Sequence, residues 1–255
     1  MIRIFNDSHE LSRAAADIFV AAANKAIAEK GKFAVALTGG SSPAKLYELL
    51  ASAEYAQKID WQKTYVFWGD ERWVPIGDEK SNAGMAKKML LDKVNLPKEN
   101  IFPMWSAELE PQDRAHEYEQ VLRKHLGDQG EFDLILSGMG DDGHTASLFP
   151  GTEVLREKAK WVDAYYLGAQ KMFRITLTAP LLNKARQNVM LVFGANKAHA
   201  LSEVLAGAYD PELYPSQLLK PVSGELIWLA DREAARKLPS QVNRTEAPEN
   251  EALDQ

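Results

Sequence analysis

The sequence lacks cysteine altogether, and this absence removes several kinds of chemistry. No thiol is available to form a disulfide, ligate a metal or act as a nucleophile. Nothing in the composition therefore points to an oxidising compartment. The first residues are charged where a secretory signal has an apolar core, and no apolar run approaches the roughly 18 residues of a membrane span. These absences predict a cytoplasmic protein that does not enter a membrane.

Positive charge is also scarce, with 30 basic against 36 acidic side chains and a formal net charge of −6. Such a chain lacks the broad positive surface that binds a nucleic-acid backbone, although a local basic pocket is compatible with the balance. The 255 residues are 45% hydrophobic, which suits a globular protein with a substantial core. We predict one domain over residues 1–238, followed by a polar, acidic and frayed tail over residues 239–255.

Short β-rich runs alternate with helical patterns along the chain. Residues 33–37 are a continuous apolar run, typical of a strand buried on both faces. Strands that alternate with helices indicate βαβ units, hence an α/β fold with a largely parallel sheet. In such sheets ligands bind at the carboxyl ends of the strands. Strands are predicted at residues 2–5, 33–37, 64–68, 132–137, 161–166, 173–178, 189–193 and 226–230.

Glycines and hydroxyls follow the second predicted strand. Gly39 and Gly40 let the backbone approach a ligand, while Ser41, Ser42 and the start of the next helix can hold an anion. The loop is not a Walker A motif, because the G-x-x-x-x-G-K-[ST] pattern is absent. The alternative is a plain turn with serine caps. The stretch therefore indicates an anion-binding loop without fixing the anion.

Three cations stand near predicted strand ends. Arg72 lies in an Asp-Glu-Arg run that begins at Asp70, and its planar fork of donors suits a phosphate. Arg174 opens a strand, and Lys197 starts a helix after another strand. Singly, each fits a surface salt bridge or a solvated charge. Together with the serine loop they predict a phosphate pocket, in which Asp70 touches the ligand or organises Arg72.

Residues 138–144 read Gly-Met-Gly-Asp-Asp-Gly-His and fit the dinucleotide-binding G-x-G-x-x-G pattern. We reject that interpretation, because Pro150 and Gly151 stop any helix that follows. The informative residue is His144, because histidine is a side chain that commonly transfers protons in catalysis and a carboxylate, Asp142, stands two positions away to fix its tautomer. The alternative is a capping or core histidine. The position of His144 after a predicted strand and the carboxylate beside it favour a catalytic histidine.

Two other hydrolase motifs are missing. His116 and Glu117 begin an H-E pair, but no second histidine stands four residues on, so the zinc-protease pattern fails. No G-x-S-x-G elbow presents a serine nucleophile. The sequence therefore predicts neither a zinc site nor a serine hydrolase.

In this order, the motifs resemble the 6-phosphogluconolactonase family, within the broader glucosamine-6-phosphate isomerase/6-phosphogluconolactonase superfamily. Each motif is weak alone, the long histidine motif is specific, and the ordered set covers roughly residues 35–230. The matching stretches are residues 37–43 (Leu-Thr-Gly-Gly-Ser-Ser-Pro), 68–72 (Trp-Gly-Asp-Glu-Arg) with 81–82 (Ser-Asn), 138–150 (Gly-Met-Gly-Asp-Asp-Gly-His-Thr-Ala-Ser-Leu-Phe-Pro), 174–178 (Arg-Ile-Thr-Leu-Thr), 194–198 (Gly-Ala-Asn-Lys-Ala) and 224–228 (Gly-Glu-Leu-Ile-Trp).

The resemblance implies a three-layer α/β/α sandwich with a modified doubly wound, mostly parallel sheet. It implies hydrolysis of 6-phospho-D-glucono-1,5-lactone to 6-phosphogluconate, in the oxidative pentose phosphate pathway, by a monomer that needs no cofactor or metal. It assigns sugar-phosphate binding to the serine loop, Arg72, Arg174 and Lys197, and catalysis to His144. Since a lactone is already reactive, a general base acting on water suffices. We predict His144 as that base, with Asp142 orienting it.

Two alternatives remain. The sister activity, deamination and isomerisation of glucosamine 6-phosphate, uses a glutamate five residues after the histidine, where this chain has Phe149. Relatives in transcriptional regulators bind sugar phosphates without catalysis, but they carry an N-terminal DNA-binding domain, whereas this chain begins directly with its first strand. Both differences favour the lactonase.

Overall fold

The computed structural model describes residues 2–246. Within that range the β-strands are β1 (Ile2–Phe5), β2 (Phe33–Leu37), β3 (Thr64–Trp68), β4 (Asp70–Arg72), β5 (Leu134–Gly138), β6 (Val162–Leu167), β7 (Met172–Leu177), β8 (Gln187–Val192), β9 (Glu225–Asp231) and β10 (Arg244–Glu246). The α-helices are α1 (Ser8–Lys30), α2 (Ala44–Leu50), α3 (Ala53–Ala56), α4 (Asn82–Met89), α5 (Pro111–Leu126), α6 (Ala179–Leu182), α7 (Ala198–Ala206) and α8 (Arg232–Ala235).

Seven strands form one parallel sheet in the order β10-β1-β9-β8-β5-β2-β3. All five residues of β2 are buried, as expected of a strand covered on both faces. The predicted α/β fold with a mostly parallel central sheet flanked by helices is confirmed. Strands β3 and β5 lie on opposite sides of β2, so the chain changes direction across the sheet between β2 and β5. Such a reversal opens a crevice at the carboxyl ends of the two strands.

The first helix forms for reasons that the sequence states. Asp7 caps it by accepting hydrogen bonds from the backbone N–H groups of His9 and Glu10, and Gly31 ends it at a left-handed φ of 75°. Buried residues of α1, such as Leu11 and Ala15, recur at helical spacing. Helix α1 packs against α2 and the sheet. Among residues 2–246, neither α1 nor any other helix is long and apolar enough to cross a membrane.

A second sheet was not predicted. Strands β4, β7 and β6 form a three-stranded antiparallel sheet in that order. Only four residues, 168–171, connect β6 to β7, which is too short for a parallel crossover and produces a hairpin instead. Gly69 joins the two sheets, because its N–H donates to the Leu37 carbonyl of β2 (2.8 Å) and its carbonyl accepts from the Leu177 N–H of β7 (2.8 Å).

The C-terminal segment also differs from the prediction of a tail beginning at residue 239. Residues Arg244–Glu246 pair in parallel with β1 and extend the large sheet by one strand. The pairing supplies partners for the open side of β1, which is otherwise an unprotected sheet edge. The rest of the predicted tail, residues 247–255, lies outside the described residues.

Candidate active site

A cavity of about 250 Å³ opens at the carboxyl ends of β2 and β5, in the crevice where the chain reverses across the sheet. The loops after these strands form part of its wall, and the small sheet forms another part. Among the residues predicted for binding and catalysis, those lining the cavity are Gly39, Gly40, Ser41, Ser42, Asp70, Arg72, His144, Arg174 and Lys197.

Asp142 is the one predicted site residue that does not line the cavity, but it contacts His144 directly. Its Oδ1 lies 2.5 Å from the His144 ring atom Nδ1 and accepts the His144 backbone N–H at 3.0 Å. Burial raises the pKa of the Asp142 carboxyl, but its contacts with His144 together lower that pKa below the ordinary value. An ionised Asp142 therefore occupies Nδ1 and leaves Nε2 of His144 as the free ring nitrogen.

Glycines allow the histidine and the carboxylate to meet. The Gly140 N–H donates to the His144 carbonyl (2.8 Å) and closes the turn. A Cβ atom on Gly140 would lie 2.1 Å from His144 Nδ1 and 2.4 Å from Asp142 Oδ1, so no larger residue fits there without moving the pair. No α-helix follows directly on this turn, which agrees with the rejection of a dinucleotide-binding motif. The glycine spacing instead serves the His144–Asp142 pair.

Arg72 and Arg174 face each other across β4 and β7. They are register partners in the antiparallel pair, and directly opposed like charges repel. Arg174 is 3% exposed, and its Nε has no hydrogen-bond partner among residues 2–246. Burial lowers the pKa of Arg174. Among residues 2–246, neither Arg72 nor Arg174 forms an ion pair, and Lys197 forms none either. Three unpaired cations on one cavity are complementary to an anion.

Asp70 is held by two neutral side chains that the sequence argument did not assign to the site. Its Oδ2 accepts from the Ser147 hydroxyl (2.6 Å), and its Oδ1 accepts from Asn82 Nδ2 (3.2 Å). Asp70 forms no ion pair with Arg72, contrary to one of the two roles expected of it. A Cβ atom on Gly39 would lie 1.7 Å from Asn82 Oδ1, so this glycine of the anion loop makes room for Asn82.

Glu71 is a further buried carboxyl, fully shielded from solvent, that supports this wall. It accepts the backbone N–H groups of Arg72 (2.8 Å), Asn82 (2.7 Å) and Ala83 (2.8 Å), and the hydroxyl of Ser81 (3.1 Å). These bonds tie the first turn of α4 to β4 and orient Asn82. Desolvation by burial raises the pKa of Glu71 to about 7, although the three backbone donors oppose it.

We expect the Glu71→Gln variant to lose a specific pH dependence of stability. A carboxyl whose folded pKa lies above its unfolded value of 4.5 weakens the fold progressively as pH rises through the folded pKa of about 7. Relative to Glu71→Gln, the wild-type chain should therefore lose about 3 kcal/mol of free energy of unfolding between about pH 4.5 and about pH 8. Urea denaturation at several pH values measures this difference. Glu99→Gln, at an exposed carboxyl, is the control, and a pH-independent difference for Glu71→Gln would contradict the expectation.

Two more residues, Phe149 and Gln170, line the cavity although the sequence did not indicate that they belong to its wall. The Phe149 ring stacks on the His144 ring at 4.0 Å between centroids, with 26° between the planes. Gln170, in the β6–β7 turn, accepts a hydrogen bond from Arg174. Both contacts are local, since Phe149 lies in the same loop as His144 and Gln170 lies in the same hairpin as Arg174, but no motif in the sequence marks either of them. Among residues 2–246, no three His, Asp or Glu side chains are grouped as metal ligands.

The fold and the cavity together define a class of protein, an α/β enzyme that acts on a small anionic molecule. The comparison with family models gives the assignment within that class. The chain belongs to the family described as Glucosamine-6-phosphate isomerases/6-phosphogluconolactonase, whose model matches residues 6–228.

Curated relatives and a solved structure narrow the position within the family. The chain is 45% identical over 218 residues to the 6-phosphogluconolactonase of Synechocystis sp., covering 84% of this chain and 88% of that protein. It is 38% identical to the 6-phosphogluconolactonase of Mycobacterium tuberculosis, covering 94% and 98% of the two chains. The structure of 6-phosphogluconolactonase from Trypanosoma brucei matches with a TM-score of 0.80 at 27% identity, covering 94% and 98%. These similarities place the chain on the lactonase side of the family.

Proposed function

We propose that the chain hydrolyses 6-phospho-D-glucono-1,5-lactone to 6-phosphogluconate, a step of the oxidative pentose phosphate pathway. The lactonase names of its relatives support this activity. The structural observation that carries it is that His144, held by Asp142, lines the same cavity as Arg72 and Arg174, neither of which forms an ion pair within residues 2–246. The cations can thus hold a phosphate in the cavity on which His144 meets the ring carbonyl.

In this mechanism His144 acts as general base. Its Nε2 takes a proton from a water molecule as the water oxygen attacks C1 of the lactone. The carbonyl oxygen becomes an oxyanion, and the tetrahedral intermediate collapses by breaking the bond between C1 and the ring oxygen. The imidazolium then returns its proton to that oxygen, which leaves a carboxylic acid and a hydroxyl. Asp142 holds the imidazole tautomer and stabilises its charged form.

The cations supply binding and position. A phosphate dianion is complementary to Arg72, Arg174 and Lys197, and guanidinium groups bind phosphate oxygens through paired donors. The loop with Ser41 and Ser42 adds hydroxyl donors to the same wall. Fixing the phosphate places C1 beside His144 and converts the attack of water into a step within one complex.

Phe149 favours lactone hydrolysis over the deaminase reaction. The resemblance assigns ring opening in the deaminases to a glutamate at this position, acting together with the histidine. Here an aromatic ring stacks on His144 and offers no group that can transfer a proton. The wall beside the base is therefore apolar, which suits a hydrolase that needs a single proton carrier.

One assay separates the two activities. Purified protein should release acid from 6-phosphogluconolactone well above the spontaneous rate and no ammonia from glucosamine 6-phosphate. Because the phosphate contacts are charge-assisted, unphosphorylated gluconolactone should react with a kcat/KM lower by on the order of 100-fold. Ammonia release without acid release would reject the proposal, and equal kcat/KM for the two lactones would reject the phosphate pocket.

We also infer that a monomer in the cytoplasm carries out this reaction. The monomer is what the resemblance to the lactonases implies. The cysteine-free sequence gains nothing from an oxidising compartment. Sedimentation of the purified protein tests the first part of the inference, because an assembled hexamer would contradict it.

A further inference from the structure

The hairpin of β6 and β7 reaches the cavity through Gln170. This residue ends the short 3₁₀ turn Gly168–Gln170 and stands four positions before Arg174. It lines the cavity together with Arg72 and Arg174. Gln170 is itself exposed, so it contributes little to the stability of the core. Its place on the cavity wall therefore calls for a role other than core packing.

Arg174 determines which end of the Gln170 amide is free. The Nη2 atom of Arg174 donates to Oε1 of Gln170. Since a guanidinium has donors only, the amide oxygen must face it and the amide nitrogen must point elsewhere. Among residues 2–246, no group accepts a hydrogen bond from Nε2 of Gln170. Two unused donor hydrogens thus lie beside a buried, unpaired guanidinium.

The surroundings of Arg174 add to the importance of that contact. Besides its contact with Gln170, Arg174 lies over the Phe149 ring, with its guanidinium carbon 5.7 Å from the ring centre. No carboxylate within residues 2–246 forms an ion pair with it. Gln170 is therefore the one side chain there that fixes Arg174 by a hydrogen bond. A paired-donor grip on phosphate needs the guanidinium plane to be held in this way.

We propose that Gln170 is a substrate-binding residue, which donates from Nε2 to a phosphate oxygen of the sugar phosphate while its Oε1 holds Arg174. The identity of the anion rests on the lactonase function proposed above. A neutral amide is the chemistry required at this position. A carboxylate would pair with Arg174, cancel its charge and repel the phosphate.

The test uses Gln170→Ala and Gln170→Glu, with the same two changes at Gln57 as matched controls. Gln57 is an exposed glutamine at the end of α3 and does not line the cavity. Calorimetry measures the affinity for 6-phosphogluconate, gluconate and inorganic phosphate, and the lactone assay measures kcat and KM. Because one charge-assisted hydrogen bond is lost, Gln170→Ala should weaken 6-phosphogluconate binding and raise KM about tenfold, with kcat within about twofold of wild type.

The glutamate variant should have the larger effect. Gln170→Glu should weaken 6-phosphogluconate on the order of 100-fold, because it neutralises Arg174 as well. Gluconate affinity, the thermal unfolding midpoint and both Gln57 variants should stay at wild-type values. Unchanged 6-phosphogluconate affinity in both Gln170 variants would overturn the proposal, as would an equal loss of gluconate affinity. A wild-type protein that binds gluconate as tightly as 6-phosphogluconate would reject the phosphate pocket itself, which is a separate failure.

Discussion

Replacing His144 by alanine is expected to lower kcat for 6-phosphogluconolactone by about 100- to 10,000-fold, the usual contribution of a positioned general base. The variant should still bind 6-phosphogluconate, because the three cations that line the cavity are untouched. Acid release, corrected for spontaneous hydrolysis, measures the loss, and calorimetry measures the retained affinity.

Two further variants make this result specific. His144→Gln keeps bulk against the Phe149 ring but has no imidazole to take a proton, so it should be as slow as the alanine variant. His116→Ala removes an exposed histidine of α5 and should leave kcat unchanged. Near-normal turnover in both His144 variants would remove the residue from the mechanism.

The second large effect is expected at Arg174. Arg174→Met keeps much of the length of the side chain and removes its charge, and should raise KM for the lactone on the order of 100-fold. The variant should be no less stable than the wild-type protein. Within residues 2–246 the buried guanidinium has no carboxylate partner, so removing it relieves a desolvation cost and leaves no opposite charge unpaired.

Arg13→Met is the matched control for this prediction, because Arg13 pairs with Glu54 at an exposed position. It should leave KM unchanged. Thermal unfolding and steady-state kinetics together give the answer. A KM near the wild-type value would show that Arg174 does not bind the substrate, and a large fall in the unfolding midpoint would show that it has a structural role instead.

The parallel sheet could be predicted because its signals are local. The apolar run of β2 and the alternation of strands with helices follow from composition and period alone. The loops after β2 and β5 could be predicted to lie near each other, because the carboxyl ends of parallel strands lie at one edge of the sheet. His144, which follows β5, could therefore be expected beside the loop after β2, and both line the cavity.

The small sheet could not be predicted, because no single segment of the sequence indicates which strands pair with each other. Strand β4 has three residues, and its partner β7 lies about a hundred positions later. Contacts that depend on this pairing were invisible for the same reason. They include the hydrogen bond from Ser147, in the loop after β5, to Asp70 of β4. The tail prediction failed at residues 244–246 because low hydrophobicity does not prevent an edge strand from pairing through its backbone.

Gly69 gives the two sheets a fixed separation, because one residue is hydrogen-bonded to both of them. The cations Arg72 and Arg174 stand on the small sheet, whereas His144 follows a strand of the large one. The relative position of these cations and the histidine therefore depends on the hydrogen bonds of a residue that has no side chain and does not line the cavity.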